Sequence, residues 1–188
     1  LIDITVYFDL LTHLLSIYNC RILVFDEGNI GKEEFYKEWT GDRFADRIIV
    51  SKGLTLRENL CLIGSAYTRL VFGPCTGLMH CASAIYNNYQ AQGMTRENIP
   101  LMITYTGEYT AENINARFWW GNSPLIHCLM IRKHFNKKKM TTLDQLSEDQ
   151  KALNDSLPCS EYTAEMLLDY IDTRIGVPAI AAPVTAKY

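Results

Sequence analysis

The chain has 188 residues, of which 48% are hydrophobic and 21% charged, and these values fit one well-buried globular domain rather than two large ones. The formal net charge of −3 excludes a general electrostatic attraction to nucleic acid. Every apolar run is shorter than the roughly 18 residues that a membrane-spanning helix needs, and no signal peptide is visible.

In chain order, short apolar runs alternate with segments that carry apolar residues at helical spacing. The runs predict strands over 21–25, 47–50, 70–72, 99–105 and 125–131. The helical spacing predicts helices over 3–18, 32–39, 56–66, 77–89, 142–153 and 160–174. The third of these helices follows Thr55, which precedes Glu58 at the capping-box spacing. Its expected buried face consists of Leu56, Leu60, Leu62, Ile63 and Ala66.

Alternation of this kind is typical of an α/β fold, in which a parallel sheet carries helices on both faces. We therefore predict a single Rossmann-like domain over residues 1–175, followed by a C-terminal tail over 176–188. The chain begins at Leu1 rather than Met, which is compatible with a fragment of a longer protein.

The cysteines indicate a reducing compartment, and hence a cytoplasmic protein. None of the six belongs to a Cys-x-x-Cys pair, and several lie in apolar runs where cysteine acts as a small hydrophobic residue. The cysteines are Cys20, Cys61, Cys75, Cys81, Cys128 and Cys159.

Two other stretches have two interpretations each. The basic run 132–139 is either a solvated loop or a contact with an anionic membrane surface or phosphate. The aromatic stretch Phe118–Ser123 either anchors the sheet to the C-terminal helices or stacks on a sugar or base.

The stretch 70–84 has the most chemical information. An apolar run, the turn Gly73-Pro74-Cys75-Thr76-Gly77 and a helix of small and apolar residues follow one another. A strand, a tight turn and a helix N-terminus form the unit with which α/β proteins hold anions, because the first helical N–H groups lack intrahelical partners. Thr76 is the expected N-cap or a donor to a phosphate oxygen. The alternative is an ordinary turn whose glycines serve chain reversal alone.

Common nucleotide and hydrolase motifs, namely GxGxxG, GxxxxGK[ST], HExxH and GxSxG, are absent from the sequence. The spacing of Cys75, His80 and Cys81 does not match a zinc site, so we predict no metal. Cys75 at a helix N-terminus would have a lowered thiol pKa in principle, and His80 is the nearest candidate base.

The residues from 50 to about 90 resemble glycosyltransferase family 9, the heptosyltransferases of lipopolysaccharide biosynthesis. The signature of that family is a turn of Asp, Ser or Thr, and Gly, followed by two residues, His, one residue and Ala. The sequence matches it at Thr76, Gly77, His80 and Ala82, after a helix entered through Thr55–Glu58. The resemblance implies the C-terminal, nucleotide-sugar-binding half of a two-domain GT-B enzyme.

The resemblance also implies a set of nucleotide-sugar contacts. Thr76 and Gly77 would donate to the diphosphate, Leu78 would pack beside the nucleotide, and His80 would face the ligand or brace the loop. An acidic residue would meet the ribose, for which Glu33 or Glu34 is expected and Glu27 is a rival. The full set expected to border the ligand is Gly73, Cys75, Thr76, Gly77, Leu78, His80, Glu33, Glu34, Thr106 and Gly107.

One departure from the family concerns Cys75, which stands where the family has the acidic residue that meets the sugar. A thiol cannot accept strong hydrogen bonds from hydroxyl groups as a carboxylate does. The acceptor site and the general base would come from a second Rossmann-like domain that this sequence lacks. The implied activity is inverting transfer of a sugar to a glycan or lipid-linked acceptor at the inner face of the membrane, without a cofactor. The alternative is a non-catalytic α/β domain that binds a nucleotide or a protein.

Overall fold

The computed structural model describes residues 2–25, 32–107, 123–147, 149–150 and 156–175. The α-helices are α1 (Ile4–Ile17), α2 (Lys32–Thr40), α3 (Leu56–Ile63), α4 (Gly77–Ala91) and α5 (Ala164–Ile175). The strands are β1 (Ile22–Phe25), β2 (Ile48–Ser51), β3 (Leu70–Pro74), β4 (Leu101–Tyr105), β5 (Ile126–His134) and β6 (Lys137–Thr142). The predicted aromatic stretch over 118–122, the tail over 176–188 and Glu27 lie outside the described residues.

Hydrogen bonds join the strands into two sheets. β1 and β2 pair in parallel. The other sheet has four strands in the order β3-β4-β5-β6, in which β3, β4 and β5 are parallel and β6 is antiparallel to β5. The predicted α/β class is confirmed, since a mostly parallel sheet is flanked by helices. The sheet is mixed rather than wholly parallel because β6, a strand that the prediction did not include, pairs antiparallel with β5.

The chain forms two compact units, and the one that holds the four-stranded sheet spans Leu56–Tyr162 together with Leu1–Asp3. All five residues of β4 are buried, as expected for a strand with a hydrogen-bonded neighbour on each side. α4 packs on β3 and β4 through a face at helical spacing that buries Met79, Ala82, Ser83 and Tyr86. The Tyr86 hydroxyl donates to the Ile63 carbonyl at 2.9 Å, which fixes the C-terminal end of α3 beside α4.

The other unit holds Ile4–Thr55 and Thr163–Tyr188. Its core includes Leu15, Phe44 and Ile48. The guanidinium of Arg47 donates to the carbonyls of Leu15, Tyr18 and Cys20 at 2.6–2.9 Å. Carbonyls at a helix C-terminus lack intrahelical donors, so this one side chain closes the end of α1.

The buried face of α3 differs from the predicted one. Leu56 is 61% exposed, whereas Asn59 is 4% exposed and Ile63 is buried. Ala66 lies beyond the end of α3 and is exposed. The positions of the apolar residues therefore predicted the wrong buried face for the first turn of α3, because the helix buries the polar Asn59 instead.

The basic run 132–139 is not a loop, and the helix predicted over 142–153 is wrong at its start. The run forms the end of β5 and the start of β6, joined at Phe135 and Asn136, whose φ angles are 43° and 62°. Two left-handed residues in succession reverse the chain tightly enough to pair the strands. β6 then continues to Thr142, and a 3-10 turn covers Leu143–Gln145. The β-branched Thr141 and Thr142 suit this strand.

Candidate functional site

The β3–α4 turn lies at the carboxyl end of β3. The strand ends at Pro74, Thr76 has the extended backbone of an N-cap (φ −137°, ψ 169°), and α4 begins at Gly77 and runs for 15 residues. The predicted N-cap position of Thr76 is thus confirmed. Cys75, Thr76 and Gly77 are all exposed, so solvent reaches the first residues of the helix.

The side chain of Thr76 does not cap the helix. Its hydroxyl makes no hydrogen bond to the first amides of α4, although a threonine at this position commonly accepts from the third helical amide. The equivalent residue of α5 does so, because Thr163 Oγ1 accepts from the Met166 amide at 3.3 Å. Among the residues that the structure describes, the N-cap side chain therefore leaves the first amides of α4 uncapped, and together with the helix dipole they form a site of positive partial charge.

Gly77 stands in open space. A Cβ atom added there would meet no atom of the described residues within 4 Å, and the φ angle of Gly77 is not in the left-handed region. Neither packing nor backbone conformation therefore requires glycine at this position. Gly73 is buried within β3, where an added Cβ would meet Met79 Sδ at an ordinary 3.7 Å. Neither glycine has a left-handed φ angle, so both adopt conformations that are open to any residue.

Cys75 and His80 face each other across the turn, with Sγ and Nε2 3.8 Å apart. This contact favours the expectation that His80 braces the loop. Although Cys75 is exposed as a residue, partial burial raises the pKa of its thiol. The predicted lowering by the helix N-terminus is therefore wrong in direction, and the thiol is protonated at neutral pH. Leu78, in the first turn of α4, is half-buried.

Thr106 and Gly107 follow β4 at the neighbouring position, since Pro74 of β3 pairs with Tyr105 of β4. The Thr106 amide donates to the Leu129 carbonyl at 2.9 Å, and its carbonyl accepts from the Tyr162 hydroxyl at 3.0 Å. A Cβ added at Gly107 would approach Cys159 Sγ to 2.8 Å and its amide nitrogen to 3.1 Å. Packing against Cys159 thus accounts for this glycine.

Thr104 and Cys128 lie in the sheet in the same row as Gly73. In-register neighbours share a face of the sheet, and Gly73 faces Met79 of α4, so this row lies under the first turns of the helix. Thr104 is completely buried, and its Oγ1 has no hydrogen-bond partner among the described residues. Burial, with a smaller effect of Cys75, raises the pKa of the Cys128 thiol to about 12. A threonine inside the apolar run 99–105 was a signal for this buried hydroxyl, and the prediction did not use it.

Glu33 and Glu34 lie on α2 in the unit of Ile4–Thr55, and the Glu34 side chain is exposed. Their contact with a ribose remains a prediction. The turn, Thr106 and Gly107 all belong to the unit of Leu56–Tyr162.

No family model, curated protein or solved structure matches the chain. The likeness to the heptosyltransferases therefore depends on the motif residues alone. What the geometry adds is the chemistry of the turn. It offers uncapped backbone donors and a protonated thiol, and the stretch from Gly73 to His80 contains no carboxylate.

A groove of about 490 Å³ lies elsewhere on the same unit, between α3 and the C-terminal half of α4. Ile85 and Tyr89 line it, and at 1.5 Å per residue they are roughly 12 Å or more along α4 from Gly77. The Tyr89 hydroxyl donates to the Gly64 carbonyl at 2.6 Å on its wall. The groove and the turn are therefore separate surfaces.

Across the residues that the structure describes, no group of three His, Cys, Asp or Glu side chains is placed to hold a metal ion. Within the same residues, every helix is too short or too polar to cross a membrane.

Proposed function

We propose that the β3–α4 turn binds the diphosphate of a nucleotide-diphosphate sugar. The observation that carries this proposal is the unused cap, since α4 is 15 residues long and the Thr76 hydroxyl engages none of its first amides. Phosphate oxygens are suited to uncapped helical amides and to the positive end of the dipole. The open space at Gly77 supports the proposal further, because a glycine that neither packing nor φ requires lets a ligand approach the backbone.

On this basis the chain is the donor-binding half of an inverting glycosyltransferase similar to the heptosyltransferases. The amides beside Thr76 would stabilise the charge that grows on the leaving diphosphate. A general base from a second Rossmann-like domain would take the proton of a glycan or lipid-linked acceptor. The protein would work in the cytoplasm, at the inner face of the membrane.

A non-catalytic nucleotide-binding domain is the second candidate, and Cys75 favours it. The raised pKa keeps its thiol neutral, so the site has a weak hydrogen-bonding group where the resemblance places a sugar-reading carboxylate. Such a domain would keep the diphosphate contacts and lack the hydrogen bonds that hold the sugar.

Isothermal titration with the diphosphates of uridine, adenosine, guanosine and cytidine tests the site. We expect at least one to bind. Thr76→Ala should weaken that binding about fivefold, because one hydrogen bond of about 1 kcal/mol is lost. Gly77→Ala should weaken it about tenfold, since a methyl group would displace the phosphate from the amides. Thr173→Ala, an exposed threonine of α5, is the matched control and should change nothing.

The proposed site would be contradicted if none of the four diphosphates bound. It would also be contradicted if both turn variants bound with the same affinity as the original protein. A second assay then distinguishes an enzyme from a binding domain. It measures whether the longest form of the protein releases nucleoside diphosphate from a nucleotide sugar. Binding without release would favour the non-catalytic candidate.

A further inference from the structure

The tip of the β5–β6 hairpin, residues 132–139, exposes an aromatic side chain and several lysines. Phe135 is 89% exposed, and it occupies the left-handed region with φ 43°, where a bulky side chain is disfavoured. Two-residue hairpin turns of this kind favour Asn-Gly. High exposure and a left-handed backbone are both unusual for a phenylalanine side chain.

The charges of the hairpin are also unfavourable for folding. Arg132 pairs directly with Lys139, and Lys133 with Lys138, although like charges in opposite positions destabilise a sheet. Among the described residues, only one of these lysines, Lys138, lies within ion-pair distance of a carboxylate, that of Glu161. The lysines are exposed, and they stand together in a chain whose formal net charge is −3. An anionic partner would turn this repulsion into attraction.

We propose that the hairpin tip docks on an anionic lipid membrane, with Phe135 inserted among the lipids and the lysines at the depth of the phosphates. Successive residues of a strand point to opposite faces, so Lys138 lies on one face and Lys137 and Lys139 lie on the other. A hairpin that enters a membrane tip first brings both faces to the headgroup layer. Each of these lysines is within roughly 10 Å of the tip, at about 3.4 Å per residue.

The same arrangement fits a nucleic acid less well. Proteins that follow a single strand use a cationic groove with aromatic platforms for successive bases. The hairpin instead has one aromatic side chain at its end and cations on two opposite faces. Membrane docking is independent of the nucleotide proposal, since it involves neither α4 nor the β3–α4 turn.

Cosedimentation with lipid vesicles tests the docking. Vesicles of phosphatidylcholine mixed with phosphatidylglycerol should bind the protein at low salt, and vesicles of phosphatidylcholine alone should not. The double variant Lys137→Gln/Lys139→Gln should partition about 25-fold less strongly, since each lysine near an anionic surface contributes about fivefold. Lys52→Gln/Arg69→Gln removes the same charge at two other exposed positions and should lower partitioning much less.

Phe135→Asn separates docking from folding. Asparagine tolerates the left-handed region, so the variant should melt at the same temperature as the original protein or higher. Its partitioning should nevertheless fall about tenfold, because the apolar insertion is lost.

Equal binding to both kinds of vesicle, or no binding to either, would overturn the proposal. So would unchanged partitioning of the two hairpin variants. A single-stranded DNA oligonucleotide is the third probe. If it bound the protein through the same lysines while the anionic vesicles did not, the surface would be a nucleic-acid contact and the membrane proposal would be wrong.

Discussion

The carboxyl ends of β3 and β4 are neighbours in one sheet, and they finish in opposite ways. Beyond β3, the chain reaches Gly77, where an added Cβ atom would meet nothing within 4 Å in the part of the chain that the structure describes. Beyond β4, Gly107 packs against Cys159, and the Thr106 carbonyl accepts a hydrogen bond from Tyr162. The same residue type therefore marks open space at one strand end and a filled contact at the other. A glycine indicates a ligand site only where nothing in the protein occupies the place of its missing side chain.

The largest expected effect comes from filling both places with the same methyl group. Gly107→Ala should lower the free energy of unfolding by about 2 kcal/mol, because overpacking against the Cys159 backbone cannot be relieved by a side-chain rotation alone. Gly77→Ala should stay within about 0.5 kcal/mol of the original protein. Urea denaturation of the two variants measures the difference. Equal stability would mean that the two strand ends do not differ as described.

Thr104 provides a test of the buried row of the sheet that lies under the first turns of α4. Its hydroxyl is buried without a partner among the described residues, and such a group costs about 1 kcal/mol or more. Thr104→Val keeps the shape and removes the hydroxyl, so it should raise the free energy of unfolding by about 1 kcal/mol. Thr68→Val is the opposite control, because the Thr68 hydroxyl donates to the Leu62 carbonyl at 2.8 Å and its loss should destabilise. A destabilised Thr104→Val variant would show that the hydroxyl has a partner.

The open end was predictable from the sequence because its signals are local. An apolar run, a turn and a helix of small residues follow without interruption, and the structure begins α4 at Gly77 after the N-cap Thr76. The filled end was not predictable in this way. Tyr162 comes 56 positions after Thr106, and no local pattern announces that it will close the end of β4.

The predictions for the hairpin and for α3 failed for a different reason, because the residues at these places are not the ones that such elements usually have. A Phe-Asn pair occupies a turn that favours Asn-Gly, and lysines fill strand positions that usually hold β-branched residues. In α3 the polar Asn59 is buried while Leu56 is exposed. The pKa of Cys75 is a third case, since partial burial raised it where the position at a helix N-terminus predicted a decrease. These outcomes depend on surroundings that the neighbouring sequence does not specify.

The smallest effect gives the sharpest test of the open end. Thr76 and Thr163 both precede helices, but only the Thr163 hydroxyl accepts a bond from an amide of its own helix, that of Met166. Thr163→Ala should therefore cost about 1 kcal/mol of stability, the usual value for a lost N-cap, and Thr76→Ala less than about 0.5 kcal/mol. Chemical denaturation of the two variants measures the pair. Equal losses would mean that Thr76 caps α4 in solution, and the amides proposed to hold the diphosphate would then already have a partner. A smaller loss for Thr76→Ala, together with weaker nucleotide binding, would mean that the hydroxyl serves a ligand rather than the helix.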